Sequence, residues 1–127
     1  MKNGTVLFTT TNVPMVVHVG VCIVLNSSVY VLHNTPTKKN NFGGNVIIDP
    51  LQEFLQNRYI LNRIETFLTA DYIVHKCANV YRRKWDAKLF NCEDFINYVT
   101  DLNIDPTQST QALAGVSILA LCSFLYF

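Results

Sequence analysis

Residues 89–95 run Leu-Phe-Asn-Cys-Glu-Asp-Phe, and this stretch places a cysteine at the start of a helix. Asn91 is a preferred helix N-cap, and apolar residues then recur at helical spacing from Cys92 to about Leu102. Free amide groups and the helix dipole stabilise a thiolate at such a position. Cys92 is therefore a candidate nucleophile. The alternative is a buried packing cysteine, because Cys92 also belongs to the apolar stripe.

Two histidines earlier in the chain are candidate partners for this thiol. His18 lies in a long apolar strand pattern, and His33 closes the next one. Asn26-Ser27 between the two patterns is a turn signal. If the loop has two residues, Leu25 pairs with Ser28, and both histidines share one face of the hairpin about 7–8 Å apart. A loop of three residues would move His33 to the other face.

The rest of the chain has a mixed pattern, with most strands before the main helices. It predicts an α+β fold in which an antiparallel sheet packs on the cysteine-bearing helix and a C-terminal hydrophobic helix follows. The predicted strands cover 5–10, 15–25, 28–33, 45–48 and 59–64, and the earlier helices cover 50–56 and 69–82.

Composition excludes several classes of protein. With 127 residues the chain has room for one domain, and ten Lys and Arg against nine Asp and Glu give a net charge of +1. No specific nucleic-acid partner is expected from so small a charge. The four cysteines form no Cys-x-x-Cys pair, so we predict neither a metal site nor a disulfide framework, and no cofactor.

The last sixteen residues, Ala112 to Phe127, are all apolar or small. This segment predicts a membrane anchor, although a helix of about 20 residues is the usual span and a core helix is the alternative. The expected division is a domain over 1–104, a linker over 105–111 and an anchor over 112–127. Every Lys and Arg precedes the tail, the last being Lys88, so we expect the domain to lie on the cytosolic side.

A basic segment near the cysteine is a candidate contact surface. Trp85 and Tyr81 lie among five basic residues within a short stretch: Lys76, Arg82, Arg83, Lys84 and Lys88. Basic side chains interleaved with aromatic ones suit an anionic lipid surface or RNA. A solvated loop with Trp85 packed inward is the third interpretation.

Together, these motifs resemble a known enzyme family. The sequence His18-Val19-Gly20-Val21, a second histidine at His33 and the block Asn91-Cys92-Glu93-Asp94-Phe95 are similar to those of the lecithin:retinol acyltransferase-like family. That family, also called H-box/NC, belongs to the permuted papain-like, NlpC-type superfamily. The resemblance covers residues 4–102. The family usually has histidine after Asn-Cys-Glu, where this chain has Asp94.

The resemblance implies a function and a role for each residue. Cys92 would be the nucleophile, His18 its general base and His33 the residue that orients His18. The implied protein is a membrane-anchored thiol acyltransferase or phospholipase A-type enzyme that acts on glycerophospholipid acyl esters. Two alternatives stay open: a cysteine peptidase of the same superfamily, and a non-enzymatic interaction protein, of a host or of a virus, that keeps the fold. The oligomeric state is not predicted.

A catalytic pair makes one geometric demand. We expect the His18 ring and the Cys92 sulfur to face each other within about 5 Å, with allowance for loose geometry in the absence of substrate.

Overall fold

The structure is a computed structural model that describes residues 1–104. It confirms the α+β class and the antiparallel sheet. The elements in chain order are β1 (Val6–Thr10), β2 (Val17–Leu25), β3 (Ser28–Asn34), β4 (Val46–Pro50), α1 (Leu51–Phe54), β5 (Ile60–Ile64), α2 (Ala70–Cys77) and α3 (Cys92–Thr100).

The five strands form one sheet in the order β4-β3-β2-β1-β5. The central hairpin has a two-residue loop, because Leu25 pairs with Ser28, which decides between the two loop lengths that the sequence left open. Asn26 and Ser27 both take positive φ angles, 50° and 66°. A two-residue turn of this kind matches the twist of the flanking strands, and it fixes the register of β2 against β3.

The sheet has a different core on each face. On the larger one, alternate residues of β1 and β2 pack with the apolar stripe of α3; its members include Val6, Phe8, Val19, Val21, Phe95, Ile96 and Val99. On the opposite face, the smaller core consists of Leu7, Cys22, Val31 and Phe54 of α1. The sheet is therefore covered on both sides, and polar side chains of the central strands are enclosed.

Helix α3 begins as predicted. The side chain of Asn91 accepts a hydrogen bond from the Asp94 N–H, and the Asp94 carboxylate accepts one from the Asn91 N–H. This reciprocal capping box fixes the first turn, which carries Cys92. The helix ends at Thr100, two residues before the predicted Leu102, because Asp101 takes the left-handed conformation that terminates helices.

Helix α2 is shorter than predicted. The pattern indicated a helix to Arg82, but the helix ends at Cys77. The amides of Val80 and Tyr81 both bond to the Cys77 carbonyl in a tight turn. The Tyr81 carbonyl then accepts from the side chain of Asn40. The apolar residues after Cys77 still reach the core. The backbone there does not continue the helix, because it hydrogen-bonds to Asn40 in the loop between β3 and β4.

The predicted linker over 105–111 and anchor over 112–127 lie outside the described residues. Within residues 1–104, no helix has the length and apolar character needed to cross a membrane.

Candidate active site

The two histidines of the central hairpin lie in direct contact. His18 of β2 and His33 of β3 are both buried, and the Nε2 atom of His18 lies 2.8 Å from the Nδ1 atom of His33. The short loop places them on one face, as predicted for two-residue connections. The residues are diagonal neighbours across the two strands, and their rings span the gap.

A third residue, which the sequence analysis did not identify, extends this contact. The Nε2 atom of His33 lies 2.8 Å from Oδ2 of the buried Asp49. Asp49 lies on β4, where Ile47 pairs with His33, so Asp49 is again a diagonal neighbour. The signal was a charged residue that directly follows the apolar residues Val46–Ile48. Its role could not be inferred from the sequence, because Asp49 lies near His33 only when β4 pairs with β3.

The hydrogen-bond chain has a defined direction. A carboxylate only accepts hydrogen bonds, so the Nε2 atom of His33 carries the proton shared with Asp49. The Nδ1 atom of neutral His33 is then an acceptor, and the Nε2 atom of His18 must donate to it. The Nδ1 atom of His18 is left with its lone pair. Asp49 thus fixes the tautomers of both rings, and the free end of the chain is a base.

Phe54 holds the two imidazoles in place. Its ring centroid lies 4.8 Å from that of His33 and 5.8 Å from that of His18. The absence of a side chain at Gly20 makes room for this ring, because a Cβ atom there would lie 3.2 Å from Phe54 and 2.5 Å from Val31. The site therefore depends on a glycine in the middle of a buried strand.

Burial keeps both histidines neutral. It lowers the pKa of His18 well below its ordinary value, and the nearby His33 and Arg58 lower it further. Burial also lowers the pKa of His33 to about 4, although the hydrogen bond and the charge of Asp49 act in the opposite direction. Neutral imidazole is the form that accepts a proton. The pair is thus in the basic form at neutral pH.

Cys92 meets the sheet at β2, one residue beyond His18. The ladder between β2 and β3 ends at the pair Val21–Leu32, before it reaches Val19. Cys92 is half-buried, and the Val19 N–H donates to its sulfur. Although α3 packs mainly on the face opposite the histidines, its first residue therefore reaches the backbone next to His18.

The thiol is protonated at rest. Burial raises the pKa of Cys92 to about 11, although the hydrogen bond from Val19 lowers it, and the charge of Glu93 adds to the increase. The expected stabilisation of a thiolate by the helix start is therefore outweighed by burial. Such a thiol needs a base at the moment of attack, and an ion pair formed in advance is not present.

The expected approach of His18 to Cys92 within about 5 Å stays a prediction. Among the hydrogen bonds of residues 1–104, none joins the Cys92 sulfur to either imidazole. Val19 provides the connection between them, because its amide contacts the sulfur and its neighbour in the chain is His18.

Arg58 is a second residue that the sequence analysis missed. Its guanidinium lies 5.1 Å from the centroid of the Phe54 ring, beside a cavity of about 190 Å³ that His33 and Asp49 also line. Burial lowers the pKa of Arg58, whereas the negative charges of Asp49 and of ionised Cys92 raise it. Arg58 therefore lies within electrostatic reach of both ends of the site.

The basic segment, which begins at Lys76 in the last turn of α2, is partly neutralised. Lys76 forms an ion pair with Asp101 at 3.2 Å. Arg82 lies over the rings of Phe42 and Tyr81, and Arg83 lies over the ring of Phe90 at 4.2 Å. These stacked guanidiniums are still charged, so the lipid and RNA interpretations both stay predictions.

No group of three or more His, Cys, Asp or Glu side chains within residues 1–104 has an arrangement suited to a metal ion. No protein-family model, curated protein or solved structure matches the chain.

Proposed function

We propose that the protein is a thiol-dependent acyl-transfer enzyme with a permuted papain-like domain. Its nucleophile is Cys92, its general base is His18 and its orienting residue is His33. The observation that carries the proposal is the directed chain from Asp49 through His33 to His18, which ends one residue from the amide bonded to the Cys92 sulfur. Three groups in these roles are the recurring arrangement of thiol and serine enzymes.

The first half-reaction forms a thioester. The Nδ1 atom of His18 takes the proton from the Cys92 thiol while the sulfur attacks the carbonyl carbon of an ester. The tetrahedral intermediate then collapses, the ester C–O bond breaks, and the alcohol leaves with the proton held by His18. His33 and Asp49 stabilise the imidazolium that exists between these two steps.

The second half-reaction regenerates the enzyme. His18 takes a proton from water, or from an alcohol or amine acceptor, which attacks the thioester carbonyl. The C–S bond breaks and the sulfur recovers its proton from His18. Water as acceptor makes the protein a hydrolase, and another acceptor makes it an acyltransferase.

The proposed substrates are the acyl esters of glycerophospholipids. The apolar segment 112–127 supports this choice, because a membrane anchor holds the domain at the surface that contains these lipids. The proposal places the domain on the cytosolic side, where the basic residues preceding the segment would remain.

A non-enzymatic role is the second candidate, and one observation favours it. The pKa of Cys92 is raised to about 11, which is typical of a packing cysteine. In that case the capping box of Asn91 and Asp94 would serve only to begin α3, and the protein would act by binding a partner.

The test is the capture of an acyl-enzyme. The full chain in detergent is incubated with phosphatidylcholine labelled in its acyl chains, and the protein is analysed for a covalent label at Cys92 that hydroxylamine removes. We expect labelling of the wild-type chain and none of Cys92→Ser. Cys77→Ser is the matched control, since Cys77 is also half-buried but belongs to α2, and it should label normally.

Two results would contradict this function. Wild-type protein that forms no adduct with phospholipid, but is acylated by an activated peptide ester and cleaves peptides, is a peptidase. Protein that reacts with neither substrate, while Cys92→Ser retains the wild-type fold and stability, supports the non-enzymatic role.

A further inference from the structure

The cavity beside the histidines contains an unsatisfied cation. The Nη1 atom of Arg58 is buried and has no hydrogen-bond partner in the described chain, and none of the ion pairs of residues 1–104 includes this residue. A buried guanidinium N–H without a partner is costly, and it is uncommon in folded proteins. Its position in a cavity next to a reactive site indicates that a ligand supplies the missing acceptor.

The other polar residues of the cavity suit an anion with several oxygen atoms. They include hydroxyl and amide groups and a second cation: Thr35, Thr37, Lys38, Gln56 and Asn57. All of these side chains can donate hydrogen bonds. Guanidinium groups bind phosphate oxygens through two parallel N–H bonds, which a single chloride or hydroxyl cannot accept in the same way.

The two carboxylates in the cavity are already engaged. Lys38 lies 3.3 Å from an oxygen of Asp49 and 3.2 Å from one of Glu53, and the second partner of Asp49 is His33. Arg58 contributes a positive charge that has no such partner within residues 1–104. An anion that enters the cavity therefore meets the N–H donors of Arg58. Both carboxylates are already paired with Lys38.

We propose that Arg58 is the anchor of a phosphate-binding subsite, which receives the phosphodiester of the lipid substrate or a free phosphate. The lipid form of the proposal rests on the proposed function, because it names the part of that substrate that this cavity holds. Arg58 is within electrostatic reach of Cys92 as well as Asp49, so a molecule whose phosphate is bound there can extend toward the thiol.

Binding of phosphate is tested first, without reference to catalysis. Inorganic phosphate is titrated into the full chain in detergent, and the side-chain Nε–H signal of Arg58 is followed by NMR, with calorimetry for affinity. We expect a saturable shift, and a loss of affinity of roughly tenfold to hundredfold in Arg58→Gln, as for losing hydrogen bonds to a charged group. Arg63→Gln is the control, since Arg63 is exposed on β5 and pairs with Glu65, and it should bind as wild type.

Turnover then separates the two sources of phosphate. For Arg58→Gln we expect the ratio of kcat/KM for phosphatidylcholine to kcat/KM for an uncharged ester to fall about tenfold or more, mainly through KM. If phosphate binding falls but this ratio is unchanged, the subsite holds free phosphate and not the lipid headgroup. If the protein has no esterase activity, the proposed function fails, while the phosphate titration still decides the inference.

Two outcomes overturn the proposal. One is a wild-type Arg58 signal that does not move with phosphate. The other is an Arg58→Gln variant that binds phosphate normally and loses kcat on both substrates equally, because that result assigns Arg58 to the tetrahedral oxyanion. Should Arg58→Gln fail to fold, Arg58→Lys replaces it: a point charge in place of the planar fork should weaken phosphate binding measurably, and unchanged affinity contradicts the proposal.

Discussion

Asp49 fixes the direction of donation in the hydrogen bonds that join it through His33 to His18, although it does not contact the thiol. We expect Asp49→Asn to reduce kcat for ester turnover about tenfold to hundredfold, because an amide no longer fixes the tautomer of His33 or balances an imidazolium at His18. Glu53→Gln is the matched control, since Glu53 shares Lys38 with Asp49 but is exposed. A merely structural Asp49 would lower stability and leave kcat per folded molecule and its pH profile unchanged.

The buried histidines also make stability depend on pH. The pKa of His33 is about 4 in the folded chain and about 6.5 when unfolded, so the unfolded chain binds more protons between these values. The contribution of neutral His33 is complete above about pH 6.5 and is lost as the pH falls toward 4. We expect the free energy of unfolding, from urea titrations, to decrease by about 1.4 kcal/mol per pH unit for each such proton.

His33→Gln should flatten this dependence, although His18, whose pKa is also lowered, retains part of it. His75→Gln is the control because His75 is exposed on α2. Equal slopes in wild type and His33→Gln would show that His33 is not buried in its neutral form.

At the scale of elements, the first turn of α3 carries the proposed nucleophile and depends on its capping box. Asn91→Ala removes the side chain that accepts from the Asp94 amide, and we expect it to cost about 1 kcal/mol of unfolding free energy in urea titrations. Asp71→Ala is the control: Asp71 lies in the first turn of α2, where Thr69 is the cap, so only a few tenths of a kcal/mol should be lost. Equal losses of unfolding free energy in Asn91→Ala and Asp71→Ala would show that the capping box is not what stabilises the first turn of α3.

The hairpin and the cap could be predicted from sequence because both depend on neighbouring residues. Asn26-Ser27 located the turn, and the loop length, left open between two and three residues, determines the face of His33. Asp49 and Arg58 could not be predicted, because their partners are distant in the chain. They become meaningful only when β4 lies beside β3 and when α1 turns the chain back over the same face.

The end of α2 was missed for a similar reason. The apolar spacing after Cys77 is compatible with a helix, and the competing contact comes from Asn40, which is far away in sequence. Local periodicity has no information about such a partner.

At the scale of the whole molecule, the C-terminal segment is predicted to separate from the domain. Deleting 112–127 should turn a protein that sediments with membranes into one that stays in the supernatant, with its far-UV circular dichroism retained. The reason is that Ile104 is already buried in the larger core and its backbone bonds to Asn97, so the core is closed before the segment begins. A truncated chain that fails to fold would show that the segment is part of the core.

The order of the elements places the proposed catalytic residues in two contiguous parts of the sequence. The proposed base His18, its two supporting residues and Arg58 all lie before Ile64, in strands β2 to β4 and in the loop between α1 and β5. The thiol belongs to the helical part that begins after Thr69. Neither part contains all the residues of the proposed reaction centre, so we expect a nascent chain to be inert until α3 has been synthesised. A chain cut between Ile64 and Thr69 is consequently a natural starting point for fragment complementation, in which thiol reactivity reports that two separately expressed halves have met.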